Sequence, residues 1–300
     1  MTFTARLLAA PVALALLLLA SCEEVRKLPD GAAEATALGW SLLSRAEYDS
    51  AEEAFAHATK RAAPNSPELL AARFGLANAY QHRKPTANNA GAEALYKELA
   101  AQDKGGETGS WSALALARIH HLDLYAVKKA EGGAAGTGTP LPTTAVLDGI
   151  RAEYRGVIEN FSGRQAAEEA AIFCGSSFID EIDEQNVRKG IAFLEDWLKT
   201  HPDSLYAGHA CGRIAAGFEQ LKEYPAMADA LIASLEKNVD PQADLSGTYY
   251  RIAAAAERAG KTDVAIKYYQ TLIEKHPTDF RVFWCQRGIQ RMKPKTGAQP

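Results

Sequence analysis

Internal repetition constrains the fold of this chain more than any other feature of its sequence. Short segments recur at offsets of 37 and 38 residues, and a longer segment recurs at 75, the sum of the other two. The recurring positions are Cys174 and Cys211, Arg213 and Arg251, and Ile191 and Ile266. Offsets that agree in this way are typical of solenoids, in which one supersecondary unit is copied along the chain.

Each repeat contains two helical patterns joined by a short turn, and the clearest repeat is 242–279. Its second helix has Ala265, Tyr269 and Leu272 on one face, at spacings of four and three residues. Glycine marks the turn at Gly260, and Pro277 ends the unit. Aromatic residues make up only 8% of the chain, and long β-branched runs are missing, so we expect an all-α protein.

The residue order in this unit resembles the tetratricopeptide repeat (TPR). The positions that carry the resemblance are Ile252, Ala253, Gly260, Ala265, Tyr269, Leu272 and Pro277. A first unit fits the same order with Leu38, Gly39, Tyr48, Ala51, Phe55 and Ala58. The resemblance implies an all-α, right-handed superhelix of about six helix pairs with a C-terminal capping helix.

The repeats predict a solenoid over 32–292, interrupted by a Gly- and Pro-containing loop insertion at 130–144 and followed by a polar tail at 293–300. The capping helix is expected to cover the last open face of the solenoid with its apolar residues. Those residues are Phe280, Val282, Phe283, Trp284 and Ile289.

The N-terminus predicts a lipoprotein signal peptide over 1–21. An apolar run from Leu7 to Ala20 is too short for a comfortable membrane-spanning helix. It ends in Leu-Ala-Ser-Cys, which resembles the bacterial lipobox and implies lipidation of Cys22, with 22–31 as a tether. We expect the bacterial outer membrane, with the chain facing the periplasm; the inner membrane stays an alternative.

The motifs that carry chemistry favour a protein without an enzymatic activity, a cofactor or a metal. Gly260-Lys261-Thr262 ends like a phosphate-binding loop, but position 255 is alanine where the upstream glycine is needed. His120 and His121 are adjacent and so face different sides of a helix, which disfavours a metal site shared by the two. Acidic runs such as 180–184 are interpreted as solvated helix faces. The net charge of −4 gives no support to nucleic-acid binding.

The three remaining cysteines, Cys174, Cys211 and Cys285, occupy nearly equivalent places in different repeats. We interpret them as small buried residues where helices pack. Equivalent positions in stacked helices lie ~8–10 Å apart, which is too far for a disulfide, so no bridge is expected between Cys174 and Cys211.

The groove-facing sides of the first helices are the candidate binding surface, where amide and charged groups could hold a peptide or a carboxylate. The candidate residues are Phe74, Asn78, Gln81, Arg118, His121, Tyr250 and Glu257. We expect a protein or peptide partner in the periplasm, and a membrane contact through the N-terminal lipid.

Three other functions remain open at this point. The chain is similar to the accessory lipoprotein of the outer-membrane β-barrel assembly machinery in its lipobox, its repeat number and the pattern of Leu194, Trp197, Pro202 and Ser204. The other two are a regulatory subunit of an envelope polysaccharide enzyme and a small-ligand binding protein.

Overall fold

The computed structural model describes residues 28–84, 86–130, 144–181, 183–238, 240 and 243–293. These residues form thirteen helices and no strand. The helices are α1 (Ala32–Ser44), α2 (Tyr48–Arg61), α3 (Pro67–His82), α4 (Asn89–Gln102), α5 (Glu107–Ala130), α6 (Thr144–Asn160), α7 (Gln165–Ile179), α8 (Glu184–Thr200), α9 (Ala207–Gln220), α10 (Tyr224–Glu236), α11 (Ser246–Arg258), α12 (Thr262–Lys275) and α13 (Val282–Met292).

Several predictions concern residues outside this described part. They are the signal peptide over 1–21, the lipidation of Cys22, most of the tether at 22–31, most of the loop insertion at 130–144 and all but the first residue of the tail at 293–300. Within the described part, no helix is both long enough and apolar enough to traverse a lipid bilayer.

The chain divides into two compact units, 1–99 and 100–300. In the first unit, α1, α2 and α3 pack around the ring of Phe55, which is fully buried. A Cβ atom added at Gly39 would lie 2.6 Å from this ring, and one added at Gly75 would lie 2.1 Å from it. The two glycines therefore let α1 and α3 approach the aromatic side chain that α2 places between them.

The described residues of the second unit form a series of helix pairs followed by the single helix α13. In the pairs α9–α10 and α11–α12, the turn holds one residue in the left-handed region, Lys222 (φ 59°) and Gly260 (φ 73°) respectively. Ala46 adopts the same conformation (φ 60°) between α1 and α2. Lys222 and Gly260 lie one repeat period apart, and the same turn conformation occurs in all three places although only one of them is a glycine.

The core formed by α11, α12 and α13 confirms the buried face that was predicted for the second helix of the repeat 242–279. Ala265, Tyr269 and Leu272 are all buried on α12. A Cβ atom added at Gly288 would lie 2.6 Å from the nearest atom of the Tyr269 ring, so only a glycine leaves space for this ring. The fold is therefore an all-α TPR solenoid, as the repeats predict.

The capping helix differs from the prediction in the direction of its aromatic residues. Val282 and Ile289 pack against the buried cluster around Tyr269, and Cys285 is fully buried. Phe280, Phe283 and Trp284 instead remain 79%, 54% and 51% exposed. The prediction that these three aromatics cover the last face is wrong, because the inward face of α13 is taken by smaller side chains at 282, 285, 288 and 289.

The interpretation of 180–184 as a solvated acidic face is wrong for Glu181. Its side chain is only 6% exposed and pairs with Arg151, which is fully buried. A periodic pattern cannot show this pair, because its two members are 30 residues apart, one on α6 and the other in the turn after α7.

The cysteines at 174, 211 and 285 are buried and free within the described residues. Burial raises the pKa of the Cys174 thiol to about 11, and it does the same for Cys285. These thiols behave as small apolar residues at helix contacts, in line with the interpretation made from the sequence.

A candidate binding cleft on the first helices

A cleft of about 450 Å³ lies where α5, α7 and α9 meet, all within the second unit. These are the first helices of three consecutive pairs. We refer to this site as the binding cleft; its lining residues are His121, Leu122, Ile172, Phe173, Ser176, Asp180, His209 and Arg213.

Helical spacing places these side chains together. On α7, Phe173 and Ser176 are three residues apart, and Asp180 follows four residues later at the end of the helix. On α9, His209 and Arg213 are four residues apart and so share one face. Each helix therefore presents a single stripe of side chains to the same opening.

Polar contacts tie α9 to α7 across the cleft. Arg213 donates from Nε to Ser176 Oγ at 2.9 Å and from its Nη2 to Asp180 Oδ1. Asp180 caps the C-terminus of α7, where the helix dipole disfavours a negative charge, so the guanidinium offsets an unfavourable placement. Both side chains remain partly exposed, at 27% and 42%, and keep hydrogen-bonding capacity for a ligand.

One wall of the cleft is aromatic and apolar. The ring of Phe173 stacks on that of Tyr154, with 5.8 Å between centroids and 17° between planes. The Arg118 guanidinium lies over the Phe173 ring at 4.8 Å. Leu122 is 60% exposed beside them. A ligand in this cleft therefore meets apolar surface on one side and charged groups on the other.

His121 links the cleft to the core. Its Nδ1 lies 3.0 Å from the hydroxyl of Tyr154, and the two rings meet edge to face at 5.8 Å. Burial lowers the pKa of His121 more than the Asp180 carboxylate raises it. The imidazole is therefore neutral at neutral pH and acts as a hydrogen-bonding group.

The Asp180–Arg213 pair is the first of three similar ion pairs. Glu219 near the end of α9 pairs with Arg251 on α11 at 2.8 Å, and Glu257 near the end of α11 pairs with Arg291 on α13 at 2.8 Å. In each case an acid at the end of one helix meets an arginine on the first helix of the next repeat, or on α13. We call these three pairs the charged ladder.

The structure places the sequence-predicted residues of the second unit at or near these features. His121 lines the cleft, and Arg118 borders it through its contact with Phe173. Glu257 belongs to the charged ladder and also accepts a hydrogen bond from Tyr269 at 2.8 Å. Tyr250 lies farther along the series, with its ring 6.1 Å from that of Tyr269.

The three predicted residues of the first unit are largely occupied by contacts within it. Phe74 packs between Trp40 and Tyr96, at 6.2 and 5.8 Å. Asn78 donates to the carbonyl of Phe74 at 2.9 Å, and Gln81 accepts from the Tyr96 hydroxyl at 3.0 Å. These contacts hold α3 and its neighbours in place.

Sequence reasoning missed most of the cleft. Phe173, Ser176, Asp180, His209 and Arg213 belong to the two repeats whose TPR signature is weakest. A usable signal existed in the recurrence of Arg213 as Arg251, because an arginine repeated at the unit period marks an equivalent surface position. Its acidic partner, however, lies 33 residues earlier, in the preceding repeat, so the recurrence of the arginine alone does not show which acid it meets.

The lining of the cleft offers groups suited to recognition of a ligand, and its described residues offer no arrangement for metal binding. Among the residues that the structure describes, no three His, Cys, Asp or Glu side chains converge in a geometry that would hold a metal ion. The functional groups present are an aromatic wall, two imidazoles, a hydroxyl and an ion pair. This set favours recognition of a ligand with both apolar and polar parts.

Comparison with known proteins supports the fold. Residues 248–279 match the model of the tetratricopeptide repeat family. The search of curated proteins gives no match.

Solved structures align with this chain at TM-scores above 0.5. The APC/C hetero-tetramer Cut9–Hcn1 aligns at 0.52 with 15% identity, over 93% of this chain. The alignment covers 46% of that chain, so the present chain spans about half its length. Pseudomonas aeruginosa PilF aligns at 0.53 with 13% identity, over 84% of this chain and 95% of its own. At these identities the likeness concerns the fold, and the chain therefore carries a tetratricopeptide repeat at 248–279 within an all-α solenoid.

Proposed function

We propose that this chain is a protein-interaction scaffold of the bacterial cell envelope that holds an extended segment of a partner protein in the binding cleft. The proposed segment lies across α5, α7 and α9, with an apolar side chain against Phe173 and Leu122. Its polar groups contact Asp180, Arg213 and His121.

The charged ladder is the observation that carries this proposal. Its first pair lies in the cleft and the other two follow at the repeat period, so an extended segment that leaves the cleft toward α11 and α13 meets the same kind of donor and acceptor at successive helices. An extended chain also repeats its donors and acceptors along its length, whereas a small molecule uses only one such position. The mixed lining of the cleft fits side chains of both kinds.

The membrane tether is part of the same proposal. Lipidation of Cys22, after removal of 1–21, would hold the scaffold at the outer membrane and raise the local concentration of the cleft near envelope partners. Support comes from the Leu-Ala-Ser-Cys sequence at 19–22. The similarity to the β-barrel assembly lipoprotein makes nascent barrel proteins one class of partner to test.

A binding comparison of cleft variants tests the scaffold. The full-length chain is extracted in detergent from the bacterial envelope together with its bound proteins, as wild type and as Arg213→Glu. Charge reversal places a second acid beside Asp180 in the cleft. The amount of partner recovered with the chain should therefore fall at least about tenfold. Arg213→Lys should reduce the recovered partner less, because lysine keeps the positive charge but cannot donate to Ser176 and Asp180 with the planar geometry of the guanidinium.

The matched control is Lys199→Glu on α8, an exposed change of the same charge. It should leave the recovered partner unchanged. Equal recovery of the partner with Arg213→Glu would contradict the proposal. The tether is tested separately with Cys22→Ala, which should abolish incorporation of labelled palmitate and release the chain from the membrane fraction.

A small-molecule ligand is the second candidate, because a cleft of about 450 Å³ falls within the ordinary size range of ligand sites. If this candidate is right, the wild-type chain should bind a small compound and Phe173→Ala should not. No protein partner should then be lost when the cleft is altered.

A further inference from the structure

The outer face of α13 and the residues just before and after the helix carry a group of aromatic and basic side chains that the scaffold proposal does not use. We call it the cap patch and define it by Phe280, Phe283, Trp284, Arg287 and Lys293. The three aromatics are 79%, 54% and 51% exposed. They stand out from the surface, while the opposite face of the helix packs on the core.

The aromatic and basic groups of the patch contact one another. The rings of Phe283 and Trp284 meet edge to face at 5.2 Å. The guanidinium of Arg287 lies 5.3 Å from the centre of the Phe283 ring. Phe283, Trp284 and Arg287 therefore form a continuous surface of two apolar rings bordered by a cation.

The charge of this segment is of one sign. Residues 280–293 include four basic side chains and no acidic one. Arg281 is paired with Asp279 and Arg291 with Glu257. Arg287 and Lys293 have no ion-pair partner among the residues that the structure describes, so the segment carries an uncompensated positive charge, and Arg287 places part of that charge beside the Phe283 ring.

We propose that the cap patch docks on an anionic phospholipid bilayer. Aromatic side chains favour the boundary between lipid headgroups and acyl chains, where rings are buried and flanking arginine and lysine reach the phosphates. Basic residues next to a membrane surface gain further attraction from anionic lipids. The proposal does not rest on the scaffold function, since it concerns a different helix and a different ligand.

Two other occupants fit the patch less well. A second copy that pairs through the same face would bring Arg287 of both chains together with no acid between them, which is unfavourable. An acidic peptide would need a groove that surrounds its side chains. The three aromatic residues of the patch form no such groove, because each has more than half of its surface exposed. A fluid bilayer accepts protruding rings.

Quenching of tryptophan fluorescence by brominated lipids tests the contact directly. The full-length chain is added to vesicles of phosphatidylethanolamine and phosphatidylglycerol with bromine on the acyl chains. Trp284 is one of four tryptophans in the chain, so insertion of the patch should remove about a quarter of the emission. Trp284→Phe should lose this quenching, because it removes the reporter.

Charge variants then test the mechanism of docking. Arg287→Glu with Lys293→Glu should reduce the lipid-dependent quenching at least about fivefold, and so should vesicles without phosphatidylglycerol. Lys60→Glu with Lys104→Glu gives the same change in net charge at two exposed positions elsewhere and should leave the quenching intact.

Three outcomes would overturn the proposal. They are no quenching of the wild type, equal quenching in Trp284→Phe, and a lipid-free dimer in sedimentation that Trp284→Ala abolishes. Flotation of the vesicles is measured in parallel, because it reports attachment through any segment, including the N-terminal one. Failure of the lipid tether and failure of the cap contact are thus distinguishable.

Discussion

Arg151 and Glu181 form a buried ion pair that joins α6 to the end of α7, with side chains 0% and 6% exposed. Arg151 also donates to the carbonyl of Ser177 at 2.8 Å and to its hydroxyl at 3.0 Å. Its guanidinium lies 3.7 Å from the ring centre of Phe178. A charge held in this way is stable only while its acidic partner stays in place.

Removal of Glu181 should therefore be strongly destabilising. Glu181→Ala is expected to lower the free energy of unfolding by about 3–5 kcal/mol, because, among the described residues, it removes the only buried acid that pairs with the buried arginine and leaves it the exposed Asp148 alone. Urea denaturation followed by circular dichroism measures the loss. The control is Asp148→Ala, which removes a 60% exposed acid from the same arginine and should cost less than about 1 kcal/mol. Similar losses in the two variants would contradict this account.

The glycines around Phe55 make a second prediction about packing. Gly75→Ala should lower the free energy of unfolding by about 1–3 kcal/mol, because its Cβ would lie 2.1 Å from the ring of Phe55. Gly149→Ala is the opposite case: no atom lies within 4 Å of the added Cβ, and the position is on an exposed face of α6. It should raise stability by about 0.5–1 kcal/mol. Thermal denaturation of both variants checks the two signs.

The buried thiols make a chemical prediction. Because burial raises the pKa of Cys174 and of Cys285 to about 11, almost no thiolate is present at pH 8. In a Cys22→Ala background, the folded chain should react with a disulfide reagent far more slowly than the chain unfolded in urea. Mass spectrometry of the labelled peptides identifies each thiol. Prompt labelling of Cys174 in the folded chain would show that α7 is not packed as described.

The cleft histidine makes a prediction about pH. The pKa of His121 is lowered in the folded chain, so the unfolded chain binds the proton more tightly. Its contribution to stability is complete above about pH 6.5, the ordinary histidine pKa, and is lost as the pH falls below it. His121→Gln should therefore lose less stability than the wild type between pH 7.5 and 5. Parallel pH profiles for the two proteins would rule out this role of His121.

Much of the fold was predictable because TPR packing depends on small and aromatic residues at fixed spacings. Ala265, Tyr269 and Leu272 are buried as expected. The outward aromatics of α13 could not be predicted in the same way, because apolar composition does not tell which face of an end helix lacks a neighbour.

Most of the cleft was not predictable, for a different reason. Asp180 and Arg213 are 33 residues apart, and their contact depends on how one helix pair stacks on the next. Repeat periodicity shows which positions are equivalent, but it does not show which side chains meet across the boundary. His121 and Arg118 were found because they lie on a helix whose register was clear.

Site-specific photo-crosslinking in living cells tests the central claim most directly. Benzoylphenylalanine is placed singly at one position on each of the three cleft helices, namely Arg118, Phe173 and His209. The control positions are Lys199 and Asp229, on the second helices α8 and α10. We predict that the three cleft positions crosslink to the same partner protein and that the two second-helix positions do not. Adducts that form only at Lys199 and Asp229, or no adduct at any cleft position, would contradict the account.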